Sequence, residues 1–235
     1  MDDAVTVRED WERKGVYKIL NQLYSEIWVY GIQQFYDPIK EYAIPESISE
    51  KMLFTGYIPR KVPGKKAVRQ LRKEQGLANE EKLVVVTTGG GGDGFAVLDT
   101  YLKMLESTSL SLPFKSVLIT GPFMAERETN EVFERARRLG VRTYRFYRWM
   151  EKILAAADLV VTMGGYNTMC EILSQGTPSL IIPRETPRTE QLIRAQVLRD
   201  HNLADYIPWN SCSPDILRER VFALLEHPEP YRDAI

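Results

Sequence analysis

Two glycine-rich turns each follow an apolar run, and their composition suits the binding of phosphate. Residues 83–95 read LVVVTTGGGGDGF, and residues 159–172 read LVVTMGGYNTMCEI. In each, β-branched residues suited to a buried strand lead into glycines and then into a helical pattern, so backbone N–H groups face one point above the turn. A doubly wound sheet brings two such turns to the same carboxyl edge. Two anion-binding turns at one crevice indicate a nucleotide diphosphate.

Other ligands of glycine-rich loops fit the first turn less well. Gly89, Gly91 and Gly94 satisfy the G-x-G-x-x-G pattern of dinucleotide sites. However, the next strand ends in Gly-Pro-Phe at residues 121–123, without the acidic residue that holds a ribose in NAD and FAD sites. The loop also lacks the Lys-Ser/Thr pair of an ATPase. A turn without a ligand would explain one or two glycines, whereas four in a row are entropically costly, so we favour ligand binding.

The second turn admits two interpretations. Thr168 and Glu171 match a capping box, in which the glutamate side chain returns to the backbone N–H of the capping residue. Alternatively, the helix N-terminus faces a diphosphate, and the Glu171 carboxylate accepts hydrogen bonds from the two hydroxyls of a ribose. Both interpretations remain open from the sequence.

Composition argues against several classes of protein. The 235 residues contain 31 Lys and Arg against 32 Asp and Glu, so no global field favours nucleic acid or an anionic membrane. Cys170 and Cys212 suit neither a disulfide framework nor a zinc site, and no D-x-D pair offers a metal site. We expect no metal, no cofactor and a cytoplasmic protein. No apolar run reaches the ~18 residues of a membrane span, so any membrane contact would be peripheral.

From residue 82 onward, strand and helix patterns alternate. This alternation predicts an α/β fold with a Rossmann-like, doubly wound parallel sheet of about six strands. We expect strands at 83–88, 116–120, 141–144, 159–162, 179–182 and 205–207, and helices at 95–106, 126–139, 150–156, 168–174, 190–200 and 214–225.

The preceding residues are less regular. Residues 60–81 are basic, contain a helical pattern at 67–75 and read as a linker. Helical patterns at 8–24 and 33–42 flank a short strand at 27–30, and a second strand is expected at 51–58. A lone strand is marginal in water. The strand at 27–30 therefore requires an edge of the main sheet or a partner outside the chain.

The order of these motifs resembles the C-terminal, donor-binding half of GT-B glycosyltransferases. The similarity covers residues 54–225, is most specific over 146–191, and is greatest to the family that includes the bacterial peptidoglycan N-acetylglucosaminyltransferase. It rests on the four-glycine turn, Gly-Pro-Phe, the block FYRWMEKILAAADLVVTMGGYNTMCEILSQGTPSLIIPR and EQLIRA. The resemblance implies that residues 59–235 form a nucleotide-sugar-binding domain. It also implies that residues 1–58 are a remnant of an N-terminal domain with its connecting segment.

The resemblance further implies which residues bind a nucleotide-sugar donor, usually a UDP-sugar. Glu171 would hold the ribose hydroxyls, and Arg184 would pair with the departing β-phosphate. Asp93 departs from the family pattern and would repel a diphosphate unless it turns away or caps the next helix. The base would lie along Phe146, Tyr147 and Met150; the diphosphate on Gly90, Gly91, Gly92, Gly165, Asn167 and Thr168; and the sugar hydroxyls on Glu190 and Gln191.

The expected reaction is inverting transfer of a hexose or N-acetylhexosamine to an acceptor hydroxyl, which requires a base. In the resembling family, the base and the acceptor pocket belong to an N-terminal domain that would precede residue 1. His201 and His227 are interpreted as structural, so no catalytic residue is assigned. The acceptor would be a glycan, lipid or small molecule, and a partner domain, a partner subunit or self-association through residues 8–58 would complete the enzyme. A UDP-sugar epimerase or hydrolase and a non-catalytic binding subunit are the alternatives.

Overall fold

The computed structural model describes residues 1–78, 80–108 and 112–235. Residues 1–58 form a small unit in which four short helices accompany a parallel pair of strands. These elements are α1 (Ala4–Arg13), α2 (Val16–Leu23), β1 (Ile27–Val29), α3 (Pro38–Glu41), α4 (Glu46–Ser49) and β2 (Met52–Phe54).

Three predictions for this unit are corrected. The single helix predicted over residues 8–24 is wrong, because the chain breaks into two helices at Gly15, whose φ of +67° lies in the left-handed region. The helix predicted over 33–42 is confined to α3, which begins at Pro38 with an Asp37 cap. Strand β1 needs neither the main sheet nor an external partner for its hydrogen bonds, since Ile27 pairs with Met52 of β2.

One face of this strand pair is covered and the other is open. Ile27 and Met52 pack against a small core around Tyr42. The alternate residues Trp28 and Leu53 are 61% and 50% exposed. Parallel strands are normally covered on both faces. The interpretation of residues 1–58 as a remnant of an N-terminal domain stays a prediction, and the open apolar face is what that interpretation expects.

The main unit alternates helices and strands, as predicted. No helix of the described ranges is long and apolar enough to cross a membrane. The elements are α5 (Lys65–Glu74), β3 (Lys82–Thr87), α6 (Phe95–Ser107), β4 (Phe114–Ile119), α7 (Glu126–Arg138), β5 (Arg142–Tyr144), α8 (Met150–Ala156), β6 (Leu159–Thr162), α9 (Tyr166–Gln175), β7 (Ser179–Ile181), α10 (Glu190–Asp200), β8 (Asp205–Tyr206), a 3₁₀ turn (Trp209–Ser211), α11 (Pro214–Glu226) and α12 (Glu229–Arg232).

The predicted six-stranded parallel sheet is confirmed among the described residues. Its strand order is β5-β4-β3-β6-β7-β8, and every pairing is parallel. The apolar run of β3 is buried on both faces. Val84 and Val86 pack with α6, α7 and α11, whereas Leu83 and Val85 pack with α5, α8, α9 and α10. The sheet is therefore the middle of three layers, as a continuous apolar strand requires.

The segment predicted as a linker, residues 60–81, is part of the main unit. Residue 79 of that segment lies outside the described residues. Helix α5 buries Leu71 in the core. Arg72 donates hydrogen bonds to the carbonyls of Ala156 and Glu81 and pairs with Asp158 at 3.1 Å. A basic, glycine-containing segment thus packs as a structural helix, because its apolar and arginine side chains meet α8 and the start of β3.

The strand order reverses between β3 and β6. Strands β4 and β5 lie to one side of this pair, and β7 and β8 lie to the other. Thr87, at the end of β3, is in register with Thr162, at the end of β6. The turns that follow these two strands are therefore neighbours at the carboxyl edge. In open α/β sheets, this is the position where ligands bind.

The glycines of the first turn differ in whether the packing around them leaves room for a side chain. Gly91 has a φ of +87°, and a Cβ atom there would lie 2.1 Å from the carbonyl oxygen of Thr120. A Cβ atom on Gly94 would lie 2.3 Å from the Thr88 side chain. A Cβ atom on Gly92, in contrast, would meet nothing within 4 Å. Packing explains Gly91 and Gly94 but leaves Gly92 without a structural requirement.

We expect Gly91→Ala to lower the free energy of unfolding and Gly92→Ala to leave it nearly unchanged. The first change forces a side chain into left-handed backbone and against a carbonyl group, at a cost of about 1–3 kcal/mol. The second should remain within about 0.5 kcal/mol of the parent. Urea unfolding followed by circular dichroism measures both. Equal losses in the two variants would contradict this description of the turn.

Candidate functional site

The two glycine-rich turns form one cleft. Its volume is about 280 Å³, and it is lined by the first turn, the second turn and Gln191 of α10. The turns also meet directly, because a Cβ atom on Gly89 would lie 3.3 Å from Oγ1 of Thr168. The structure brings together seven of the residues predicted to bind a donor: Gly90, Gly91, Gly92, Gly165, Asn167, Thr168 and Gln191.

The second turn presents the N-terminus of α9 to this cleft. Gly165 is the N-cap residue, it has no side-chain capping hydrogen bond, and its carbonyl accepts the first helical bond from Met169. The N–H groups of the first turn of a helix have no partner within the helix. Those of Tyr166, Asn167 and Thr168 are thus positioned for an anion.

The capping-box interpretation of the second turn is wrong. Helix α9 begins at Tyr166, two residues before the predicted start. Thr168 is therefore the third residue of the helix rather than its cap. Glu171 is the sixth residue, where its side chain cannot return to the cap N–H group. The carboxylate of Glu171 has no capping role.

Glu171 is a partly buried carboxylate on the face of α9 next to α8. Burial raises its pKa above the ordinary value, the Arg60 guanidinium opposes this shift, and the neighbouring Glu151 adds to it. Within the described part of the chain, no hydrogen bond or ion pair engages the carboxylate. A partly buried acceptor without a protein partner is available to a ligand.

Arg60 is a site residue that the sequence reasoning missed. Its Nη2 donates to Oδ1 of Asn167 at 3.2 Å, and its backbone N donates to Oγ of Ser174 at 2.8 Å. Because Asn167 and Glu171 are four residues apart on one helix, both face this arginine. The basic segment around Arg60 resembled a linker, and only tertiary packing places it along α9.

Arg184 joins the first turn to α10. Its Nη1 lies 2.9 Å from Oδ2 of Asp93, its Nη2 bonds Glu190, and its backbone N donates to Oε1 of Gln191 at 2.9 Å. The Asp93 carboxylate is thus paired with the Arg184 guanidinium. This pairing reduces the repulsion that Asp93 was expected to exert on a diphosphate. Oε2 of Glu190 and Nε of Arg184 are buried and have no hydrogen-bond partner among the described residues.

The predicted base-binding residues do not line the cleft. Phe146 is 67% exposed, and Tyr147 packs edge-on against Tyr144 with ring centroids 4.9 Å apart. Met150 begins α8 and packs against the core. All three follow the carboxyl end of β5, two strands away from β3. They follow a strand end at the same sheet edge as the turns, and Met150 begins the helix that carries Glu151, a neighbour of Glu171.

Phe123 is a second residue that the sequence reasoning did not assign. Its backbone N donates to the Gly90 carbonyl at 2.8 Å, and its ring would lie 3.2 Å from a Cβ atom on Gly90. The side chain is 78% exposed. An exposed aromatic ring held beside the glycine turn offers a flat apolar surface at the rim of the cleft.

Known glycosyltransferases share the sequence pattern. The UDP-N-acetylglucosamine--N-acetylmuramyl-(pentapeptide) pyrophosphoryl-undecaprenol N-acetylglucosamine transferase of Clostridioides difficile is 23% identical over 215 residues, 91% of this chain and 52% of that protein. The Bacillus subtilis transferase of the same name is 30% identical over 159 residues, 66% of this chain and 43% of that protein. The chain thus spans about half the length of these curated relatives.

Solved structures share the fold. MurG of Acinetobacter baumannii superposes with a TM-score of 0.64 at 15% identity, covering 93% of this chain and 57% of that one. The glycosyltransferase of kitacinnamycin gives 0.62 at 17% identity, covering 98% and 59%. The fold expected from the resemblance, that of GT-B glycosyltransferases, is confirmed. Residues 83–234 match the model of the glycosyltransferase family 28 C-terminal domain, and the chain belongs to that family.

Proposed function

We propose that this chain is the donor-binding half of a glycosyltransferase that uses a nucleotide sugar, with UDP as its nucleotide. The observation that carries the proposal is the single cleft formed by two glycine turns at the reversal of strand order. Its wall includes the uncapped N-terminus of α9, which favours a diphosphate through N–H groups and the helix dipole. The relatives are named as UDP-N-acetylglucosamine transferases, which supports the same donor class here.

The residues that line the cleft, together with Glu171 and Glu190 beside it, suggest how a donor would be divided among them. The diphosphate lies on the N–H groups of α9 and on Gly90 and Gly92 of the first turn. The ribose lies on Glu171, whose partly buried carboxylate has no hydrogen bond or ion pair within the described residues. The sugar lies near Glu190, because its buried Oε2 has no donor in the part of the chain that the structure describes. The base extends from the ribose toward the segment that contains Phe146.

Transfer would proceed by attack of an acceptor hydroxyl on the anomeric carbon, with inversion. The bond between that carbon and the β-phosphate oxygen breaks, and UDP leaves with the electron pair. The N-terminus of α9 stabilises the charge that develops on the diphosphate. Arg184 is already held by Asp93 and Glu190 through its two Nη atoms, so its charge would be shared between those carboxylates and the phosphate. The acceptor proton passes to a base on a partner domain or subunit.

The open face of the β1–β2 pair is our candidate surface for that partner. Trp28, Tyr30 and Leu53 are exposed apolar side chains on this small unit. A parallel strand pair with one bare face is covered in most folds, and the relatives have roughly twice the length of this chain. A partner domain or subunit, or a second copy of the chain, would bury the exposed rings.

Calorimetric titration with UDP, GDP, ADP and NAD should show preferential binding of UDP. Glu171→Gln should weaken UDP binding by roughly 10- to 100-fold, since a hydrogen bond to a charged acceptor contributes about 1.5–3 kcal/mol. The exposed Glu219→Gln on α11 is the control and should bind normally. Preference for NAD, or normal UDP affinity in Glu171→Gln, would contradict the assignment. Release of UDP without an acceptor would favour a hydrolase, and binding without turnover beside a partner would favour a binding subunit.

Without ligand, the difference in stability between the parent and Glu171→Gln should also depend on pH, with a defined sign. Burial raises the pKa of Glu171 in the folded state. The folded protein therefore binds this proton more tightly than the unfolded chain, and the resulting stabilisation is lost as pH rises through the raised pKa. The variant should match or exceed the parent in melting temperature at pH 7 and lose this advantage near pH 4. A lower melting temperature at pH 7 would indicate a structural role for the carboxylate.

Arg60→Met should weaken UDP binding by roughly tenfold, because a guanidinium beside Asn167 and Glu171 adds charge-assisted hydrogen bonding to an anion. Arg69→Met, on the exposed side of α5, is the matched control. Calorimetry at two salt concentrations measures the difference in UDP affinity between the two variants, and this difference should decrease as the salt concentration rises. Equal affinity of the two variants would remove Arg60 from the site.

Trp28→Ser combined with Leu53→Ser should suppress self-association of the chain. The two changes remove most of the exposed apolar surface of the β1–β2 face, which otherwise favours association. Sedimentation velocity over a concentration series is the measurement, with the exposed Val62→Ser as control. A parent chain that remains monomeric at high concentration would leave self-association without support, and the partner would then have to be another polypeptide.

A further inference from the structure

A second cavity, of about 400 Å³, lies between the small N-terminal unit and helices α9 and α10. Its walls are mainly aromatic and aliphatic. From the N-terminal unit come Ile27, Phe35 and Tyr36, and from the main unit come Tyr166 and Arg194. Tyr166 also lines the donor cleft, so the two spaces share this residue. The size is that of a cavity for a small molecule.

Arg194 is the charged side chain that this cavity receives from α10. The residue is 7% exposed. Its Nη1 donates to the Gly164 carbonyl at 2.7 Å, and its guanidinium lies 5.8 Å from the centroid of the Tyr166 ring. Across residues 1–78, 80–108 and 112–235, no carboxylate forms an ion pair with it. Glu190, one turn earlier on α10, is instead paired with Arg184.

A buried guanidinium that forms no direct ion pair is energetically costly, and Glu190 acts on Arg194 only as a nearby charge. Removing a charged group from water is unfavourable, and a single contact with a carbonyl group offsets only part of this cost. An anion in the cavity would supply the missing charge and accept the remaining N–H donors of Arg194. The aromatic walls would at the same time surround an apolar group.

We propose that this cavity is a second binding site, separate from the donor cleft, for a ligand with an apolar body and one anionic group. The anion, a phosphate or a carboxylate, pairs with Arg194. The apolar body lies among Ile27, Phe35 and Tyr36. Because Arg194 lines this cavity and not the donor cleft, the site requires no nucleotide sugar, and its test is independent of the proposed transferase activity.

Titration of the full chain with n-octyl phosphate, n-octanoate and n-octanol tests the charge requirement. We expect at least one of the two anions to bind at least tenfold more tightly than octanol, which corresponds to about 1.4 kcal/mol. The anion that binds more tightly identifies the preferred group. Binding of that anion should persist when UDP is saturating. Equal binding of anions and octanol, absence of anion binding, or competitive displacement by UDP would each overturn the proposal.

Two variants assign the binding to this cavity. Arg194→Met should weaken anion binding about tenfold and leave octanol unchanged, whereas Arg199→Met, exposed on the same helix, should change neither. Gly31→Leu adds volume at the cavity lining, where a Cβ atom would meet nothing within 4 Å. It should weaken both anion and octanol binding without lowering the melting temperature. If Arg194→Met fails to fold, Gly31→Leu decides, and unchanged anion binding in that variant would overturn the assignment.

Discussion

The parallel pairing of β3 with β6 is the constraint on which the site depends. Thr87 and Thr162 are in register at the ends of these strands, and each strand continues directly into a glycine turn. After β3 the chain builds β4 and β5 on one side of the sheet, and after β6 it builds β7 and β8 on the other side. The helices that connect these strands therefore diverge from the gap between the ends of β3 and β6. The cleft is a consequence of strand order, and the turns have only to remain small enough to keep it open.

The small size of glycine alone does not explain the shape of the first turn. Gly91 and Gly121 let the backbone of the first turn approach the loop after β4, so that Cβ atoms on either would overlap the opposing chain. This contact packs the turn against the sheet edge, and Gly90 and Gly92 remain exposed on the outer side of the turn. Glycines that pack and glycines that face solvent thus alternate. The packed ones fix the shape, and the exposed ones give a ligand access to backbone N–H groups.

The sheet and most of the cleft could be predicted from the sequence. A strand buried on both faces reads as a continuous apolar run, and glycines directly after such a run mark its carboxyl end, so both turns were placed correctly. The start of α9 was predicted two residues too late, since Gly165 caps this helix without any side-chain hydrogen bond and Thr168 resembles a capping residue. Arg60 and Phe123 were missed because their positions depend on how distant segments pack, which no local pattern contains.

Arg184, which was predicted to pair with the β-phosphate, is instead paired with two carboxylates of the protein. Arg184 lies between Asp93 and Glu190, so the three side chains together carry one net negative charge rather than a free positive one. Under the proposed function, the fixed N–H groups of α9 would therefore be the main attraction for a diphosphate, because Arg184 is shared with two carboxylates. The same cluster directs one Glu190 oxygen into a buried position where it has no hydrogen-bond donor among the described residues. Under the proposed function, a sugar hydroxyl would satisfy this oxygen, so phosphate attraction and sugar recognition would arise from different parts of one hydrogen-bonded arrangement.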